Sequence, residues 1–234
     1  AHNIEPDMTV RPGHEWRVEL LWQGVEQLPD LLLMAQDAGW QVRVPAESGP
    51  RDPITLDWRT VLVPGSAPGG TADLYLDGET WLGTFRIDVL PRMDDPPEYA
   101  VSVDMAVGEI GTLVGYTPAD ETADRTQPFV VTLVWQAGDV PAEISYTVFV
   151  QLLDAQGRLI AQSDSIPAQG DRPTTGWRAQ EYIIDVHPLR FNDLAAPGEA
   201  RLIAGMYDAL TGQRLVIGPD GADFIELPGV IRVR

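Results

Sequence analysis

Apolar and polar residues alternate with period two along most of the chain. Trp16, Val18, Leu20 and Trp22 interleave with Arg17 and Glu19. Phe85, Ile87 and Val89 interleave with Thr84, Arg86 and Asp88, and Tyr99, Val101, Val103 and Met105 with Ser102 and Asp104. Successive strand side chains point to opposite faces, so each set predicts a strand with one buried and one wetted face. Residues 130–135 and 146–153 are apolar on both faces, as central strands of a two-sheet core should be. Turn signals punctuate the runs: Asp37-Ala38-Gly39, Asp77-Gly78, Asp154-Ala155-Gln156-Gly157, Thr211-Gly212 and Asp220-Gly221. Asp bonds its own backbone two residues on and Gly takes positive φ, so these sites predict hairpin tips. Only residues 28–36 also read as helix, and Pro29 argues against it. Short strands at regular spacing predict an all-β sandwich.

The pattern occurs twice. Val18-Glu19-Leu20-Leu21-Trp22-Gln23-Gly24 returns as Val131-Thr132-Leu133-Val134-Trp135-Gln136-Ala137, 113 residues later. Asp37-Ala38-Gly39 is matched by Asp154-Ala155-Gln156-Gly157, and Pro45-Ala46 by Pro167-Ala168. Asp52 with Trp58-Arg59 is matched by Asp171 with Trp177-Arg178, Ala67-Pro68-Gly69 by Ala196-Pro197-Gly198, and Asp77 by Asp208. Order is kept while the spacing drifts, as when two copies of one fold gain and lose loop residues. Prolines stiffen the polar stretch Pro91-Arg92-Met93-Asp94-Asp95-Pro96-Pro97, which predicts a boundary there. The expectation is two tandem antiparallel β-sandwiches, immunoglobulin-like or jelly-roll-like: a shortened one over residues 1–97 and a fuller one over residues 98–234.

Composition narrows the function. The 234 residues carry 35 acidic and 16 basic side chains, a net charge of −19, and all the basic ones are Arg. A hydrophobic content of 44% is enough for a core. No Cys is present, which removes disulfides, thiolate chemistry and Cys-based zinc sites. This charge disfavours nucleic acid and anionic lipid as partners. Residues 1–7 have neither the basic n-region nor the apolar h-region of a signal peptide, and a start without Met reads as a mature or excised piece of a longer chain. No run reaches the ~18–20 apolar residues of a membrane helix, so direct membrane insertion is not expected. Strong acidity without Lys suits an extracytoplasmic domain, on a cell surface or secreted.

Several motifs of the second half carry a family resemblance. They are Ile110-Gly111-Thr112-Leu113-Val114-Gly115-Tyr116, the Leu133-Val134-Trp135 strand, and Tyr146-Thr147-Val148-Phe149-Val150-Gln151-Leu152-Leu153-Asp154 with Gly157. They continue with Asp164-Ser165-Ile166-Pro167, Gly170-Asp171-Arg172-Pro173-Thr174-Thr175-Gly176-Trp177, Gly205-Met206-Tyr207-Asp208 and Thr211-Gly212-Gln213-Arg214-Leu215. Over about residues 104–234 the chain resembles the C-terminal extracytoplasmic domain of bacterial membrane glycosyltransferases of the dolichyl-phosphate-mannose type, copies of which occur in uncharacterised surface proteins. That family's catalytic acids lie in membrane-embedded portions that these residues do not match. The resemblance therefore implies an accessory domain and transfers no catalytic residue.

Candidate chemistry is sparse. His2, His14 and His187 lie in no nucleophile motif, and Gly65-Ser66-Ala67-Pro68-Gly69 lacks the G-x-S-x-G spacing. The same stretch lacks the Lys and the following helix of a phosphate cradle. No cofactor motif is present. A structural calcium is the one ion the acidic loops suggest, through Asp120 and Asp124 or Asp220 and Asp223, although such acids equally serve as turn residues. Seven Trp residues suggest carbohydrate, because a sugar's apolar face stacks on indole while acids and Arg bond its hydroxyls. Trp22 and Trp135 read as core. Trp40 and Trp81 follow turns and read as the exposed pair. Asp171, Arg172, Thr174 and Trp177 place an acid, a cation, a hydroxyl and an indole in one loop; the competing reading is a corner that anchors the next strand.

These observations converge on a non-catalytic module that binds a polysaccharide or a protein through sandwich-end loops or edge strands. The alternatives are a sugar-active enzyme with a carboxylate pair in an inter-domain cleft and a subunit of a surface filament or layer.

Overall fold

The computed structural model describes His2 and residues 8–46, 49–50, 53–217 and 221–234. The chain divides into two compact units, Ala1–Pro91 and Arg92–Arg234. The division falls at the start of the proline-rich stretch. Arg92 bonds Glu181, Met93 bridges Tyr182 and Asp94 pairs with Arg178, all inside the second unit.

The first unit contains β1 (Met8–Val10), β2 (Glu15–Gln23), β3 (Leu31–Ala35), β4 (Trp40–Val44), β5 (Ile54–Leu62), β6 (Gly70–Leu76) and β7 (Thr80–Ile87). One sheet has the order β1-β7-β6-β3-β4 and the other is the pair β2-β5. Val18 and Leu20 of β2 face Leu31, Leu33, Leu74 and Phe85 of the larger sheet in a single buried cluster. The stretch read as strand or helix resolves as β3: Leu31, Leu33 and Ala35 point inward and are buried, a period of two. Asp77 (φ 48°) and Gly78 (φ 77°) both take positive φ, the type I′ turn that joins β6 to β7.

The second unit runs β8 (Val101–Val107), β9 (Gly111–Pro118), β10 (Thr122–Ala123), β11 (Phe129–Ala137), β12 (Thr147–Asp154), β13 (Leu159–Ser165), β14 (Tyr182–Phe191), β15 (Gly198–Tyr207), β16 (Ile225–Glu226) and β17 (Ile231–Val233). Strands β10-β17-β15-β12-β13 form one face and β14-β11-β9-β8 the other; β16 pairs with β15, and the faces join at a corner where Ala161 and Gln162 pair with Phe191 and Arg190.

Strand by strand the two units share a topology. β1 runs parallel to β7 as β10 does to β17. β6-β3-β4 correspond to β15-β12-β13, and β2-β5 to β11-β14. His2 bridges Leu20 where Tyr116 of β9 pairs with Leu133. Both units are antiparallel β-sandwiches of immunoglobulin-like order, with the first strand they have in common, β1 or β10, laid parallel against the last. The second unit extends its β11 sheet by β8.

Register corrects one equivalence drawn from the sequence. Trp58 stands inside β5 and is 49% exposed, whereas Trp177 lies in the loop before β14 and is buried. In β2–β5, Leu20 faces Asp57 and Val18 faces Arg59; in β11–β14, Leu133 faces Asp185 and Val131 faces His187. The positional partners of Asp57 and Arg59 are therefore Asp185 and His187. All four are essentially fully buried. In the first unit Asp57 accepts from Trp22 Nε1 (3.1 Å) and from Arg59 (2.6 Å), whose Nη1 reaches Val44 O across the seam between the sheets. In the second, Asp185 accepts from Trp135 Nε1 (3.2 Å) and lies 2.9 Å from His187 Nε2. His187 Nδ1 spans the same seam to Ser163 Oγ (3.3 Å).

Candidate functional site

The loop of Asp171, Arg172, Thr174 and Trp177 is largely absorbed into the second unit. Thr174 is fully buried, accepts from Tyr146 N–H and donates to Ile144 O. Trp177 is buried, donates Nε1–H to Arg172 O at 2.9 Å, and its ring lies against Gly111. Arg172 is half-buried beside the buried Glu181 (3.8 Å); burial lowers its pKa, against the pull of that carboxylate. Asp171 alone of the four is exposed. The loop is a corner that seats β14, and Thr174 and Trp177 have no surface left for a ligand.

Beside this corner a cleft of about 410 Å³ is floored by Gly108, Gly111 and Gly138. Its amides are engaged with one another: Gln136 donates to Gln180, and Gln180 donates to Asp139.

The acidic loops serve their own backbones. Asp120 accepts from Thr122 N–H, and Asp124 from both the N–H and the hydroxyl of Thr126. Those two bonds from Thr126 hold the Asp124 carboxyl below its usual pKa. Asp223 pairs with Arg214 at 3.3 Å, and Asp220 lies outside the described residues. Among the described residues no three His, Cys, Asp or Glu side chains gather where they could hold a metal ion.

Trp40 and Trp81 lie on opposite faces of one sheet. Trp40 pairs with Ala35 and packs against the core, because both occupy inward register positions. Trp81 is 58% exposed on the outward face. A bulge between Leu74 and Tyr75 sets Trp81 directly opposite Tyr75, and bulges commonly re-aim a side chain in this way.

Around Trp81 the sheet builds a polar frame. Asp73 Oδ1 accepts from Trp81 Nε1 (3.3 Å) and from the Thr84 hydroxyl (2.5 Å). Gln36, just beyond β3, donates to Tyr75 Oη at 3.2 Å. Tyr75 pairs with Leu32, and Asp73 with Met34, so these residues share the face. The indole is tethered through its Nε1 and is more than half exposed. Both bonds to Asp73 land on Oδ1, leaving Oδ2 to accept from outside. Gln36, Asp73 and Tyr75 escaped the sequence reading because Gln36 follows β3, the other two stand on β6 and Trp81 on β7; their meeting depends on register and on the bulge.

No protein-family model matches the chain, and no curated protein sequence does. Among solved structures the chain is similar to titin Ig tandem domains A164-A165, at 10% identity and a TM-score of 0.23, over 98% of this chain and 92% of that one. A score of that size does not define a fold, so the architecture rests on the strand pairings themselves.

Proposed function

We propose that the chain is a non-catalytic, extracytoplasmic binding module that holds a neutral polysaccharide on the Trp81 face of its first unit. The observation that carries this reading is an exposed indole pinned by Asp73 and paired with Tyr75. A sugar ring lays its apolar face on Trp81 while Asp73 Oδ2, Gln36 and Tyr75 take its hydroxyls. Pinning matters because a ring already held loses little rotamer freedom on binding. The net charge of −19 favours a neutral glycan over a polyanion. The resemblance of residues 104–234 to the glycosyltransferase-associated domain supports a setting where sugar chains are built. This proposed site is a sheet face, beside the sandwich-end loops and edge strands expected from sequence.

Calorimetric titration with neutral cell-envelope polysaccharides tests the reading. Saturable heat that disappears in Trp81→Ala and weakens in Asp73→Asn supports it. Flat heats across a panel of neutral glycans, with circular dichroism showing an intact sheet, sink it.

A further inference from the structure

Outward side chains of the first unit's larger sheet line up in rows that run across the strands. Trp81 of β7 pairs with Tyr75 of β6, Tyr75 with Leu32 of β3, and Leu32 with Arg43 of β4. Leu31, Leu33 and Ala35 of β3 and Val42 and Val44 of β4 belong to the core or pack against it, so Leu32 and Arg43 face the Trp81 side. Adjacent strands lie about 4.8 Å apart, so the row spans about 14 Å, more than one sugar ring covers. Trp81 is 58% exposed at one end and the Arg43 side chain 75% exposed at the other, which leaves room for a chain to run past both.

The row changes chemistry along its length. Two aromatic rings stand at one end, an aliphatic side chain in the middle and a guanidinium at the far end. Arg43 is paired with Asp30, so the far end offers donors with its charge balanced. A second row, Thr84–Asp73–Met34–Gln41, flanks the first at the next outward positions, and in it Asp73 supplies an acceptor and Gln41 an amide. Apolar ring faces in the first row bordered by hydroxyl partners in the second suit a sugar chain.

The second unit has the corresponding row in a closed form. Counting back from the matching turns at Asp37 and Asp154, Leu32 corresponds to Phe149, which pairs with Gly205 and Asp164 as Leu32 does with Tyr75 and Arg43. The Arg214 guanidinium lies 4.3 Å from the centre of the Phe149 ring, and Phe149 is only 1% exposed. Gly205 stands where the first unit has Tyr75, and a Cβ there would strike the Phe149 ring. The platform is open in the first unit and filled by the chain's own Arg in the second.

We propose that the Trp81 face binds a neutral glycan side-on, as an extended stretch of at least about three sugar units laid across β7, β6, β3 and β4. This rests on the Trp81 reading and adds to it the length and direction of the ligand and the parts played by Leu32, Gln41 and Arg43. One ring stacks on Trp81 and Tyr75, the next crosses Leu32, and Arg43 donates to the hydroxyls of the last.

Two series of probes, titrated calorimetrically into the full chain, test this: unbranched neutral glucan and mannan oligosaccharides, each from the monosaccharide to the hexasaccharide. In a series that binds, affinity is expected to rise at least about tenfold from disaccharide to tetrasaccharide and then level off, because each added ring meets its contacts within the same complex. Arg43→Ala, with an unchanged circular dichroism spectrum, erases most of that rise. Gln41→Ala, which breaks no ion pair, reduces it, and Trp81→Ala abolishes binding at every length. Affinity that stays flat from the disaccharide upward, or a rise unaltered in both Arg43→Ala and Gln41→Ala, overturns the side-on chain and leaves Trp81 a site for a single ring or a chain end. Flat heats from both hexasaccharides sink the Trp81 reading itself, and this proposal with it.

Discussion

The two units solve one problem with different residues. Each must hold its two sheets together at the seam between its fourth and fifth common strands, where β4 and β13 meet β5 and β14. In each, an inward Asp gathers a Trp indole and a basic side chain that reaches across the gap. The first unit uses Arg59, whose planar guanidinium also bonds a backbone carbonyl. The second uses His187, which meets a serine hydroxyl. The aspartates also differ: Asp185 Oδ1 accepts from Ala168 N–H at 2.8 Å, whereas Asp57 Oδ1 is buried with no partner among the described residues. A shared position therefore preserves a shape of network, not a residue. The Ser163–His187–Asp185 row has the order of a hydrolase triad, but the imidazole and carboxylate are sealed from solvent, and the row acts as a clamp.

The largest expected effects come from removing the carboxylates. Asp57→Ala strands the buried Arg59 charge and should cost about 3–5 kcal/mol. Asp185→Ala strands neutral donors, the Trp135 indole and the Ala168 amide, and should cost about 2–4 kcal/mol. Urea denaturation followed by Trp fluorescence measures both, and equal losses would show that the Arg charge is not the heavier burden. Arg59→His tests the exchange directly. The shorter ring forgoes Val44 O, and the expected loss is about 1–3 kcal/mol, confined to the first unit by hydrogen exchange. Tyr99 lies against Gly115 of β9, and Tyr99→Ala should cost about 1–2 kcal/mol by uncovering that part of the second unit's outward face. Slow amide exchange along β9 should then fail, making that face resemble its counterpart.

The smallest effect is acid sensitivity in the turn after β15. The Thr211 hydroxyl first, and then the Leu210 N–H, hold the Asp208 carboxyl below its usual pKa. A depressed carboxyl contributes stability above its unfolded pKa, and that contribution is lost as pH falls through the folded value. Residues 208–214 should therefore loosen selectively below about pH 4, the usual carboxylate range. Amide exchange at pH 3 and pH 6 reads this, and Thr211→Ala should reduce the difference between the two.

Strand positions, turns and the duplication were legible because all three depend on local chemistry. Residues 18–24 and 131–137 do fall on equivalent strands, and Asp77 with Gly78 forms the turn their types require. Strand β5 was less legible. Alternation shows that two faces differ but not which one is buried, and here an Asp–Arg pair lies inside while Leu56 and Trp58 lie outside. The identical Trp-Arg pairs at 58–59 and 177–178 then outweighed the less obvious equivalence of Asp57 and Arg59 with Asp185 and His187. The Trp81 frame was half legible: the ring could be named, but its partners are set by a bulge that no local pattern announces.

The parallel seating of β1 beside β7, and of β10 beside β17, has a mechanical consequence. When the first unit is pulled between β1 and β7 in opposite directions along their length, the pair slides lengthwise, so its backbone bonds share the load at once instead of parting one after another. Resistance to such tension is set by the rate at which the strand pair ruptures rather than by equilibrium stability. A single proline replacing Val10, whose backbone faces β7 and accepts from Asp88 N–H, would be expected to lower the rupture force of the first unit and leave that of the second unchanged.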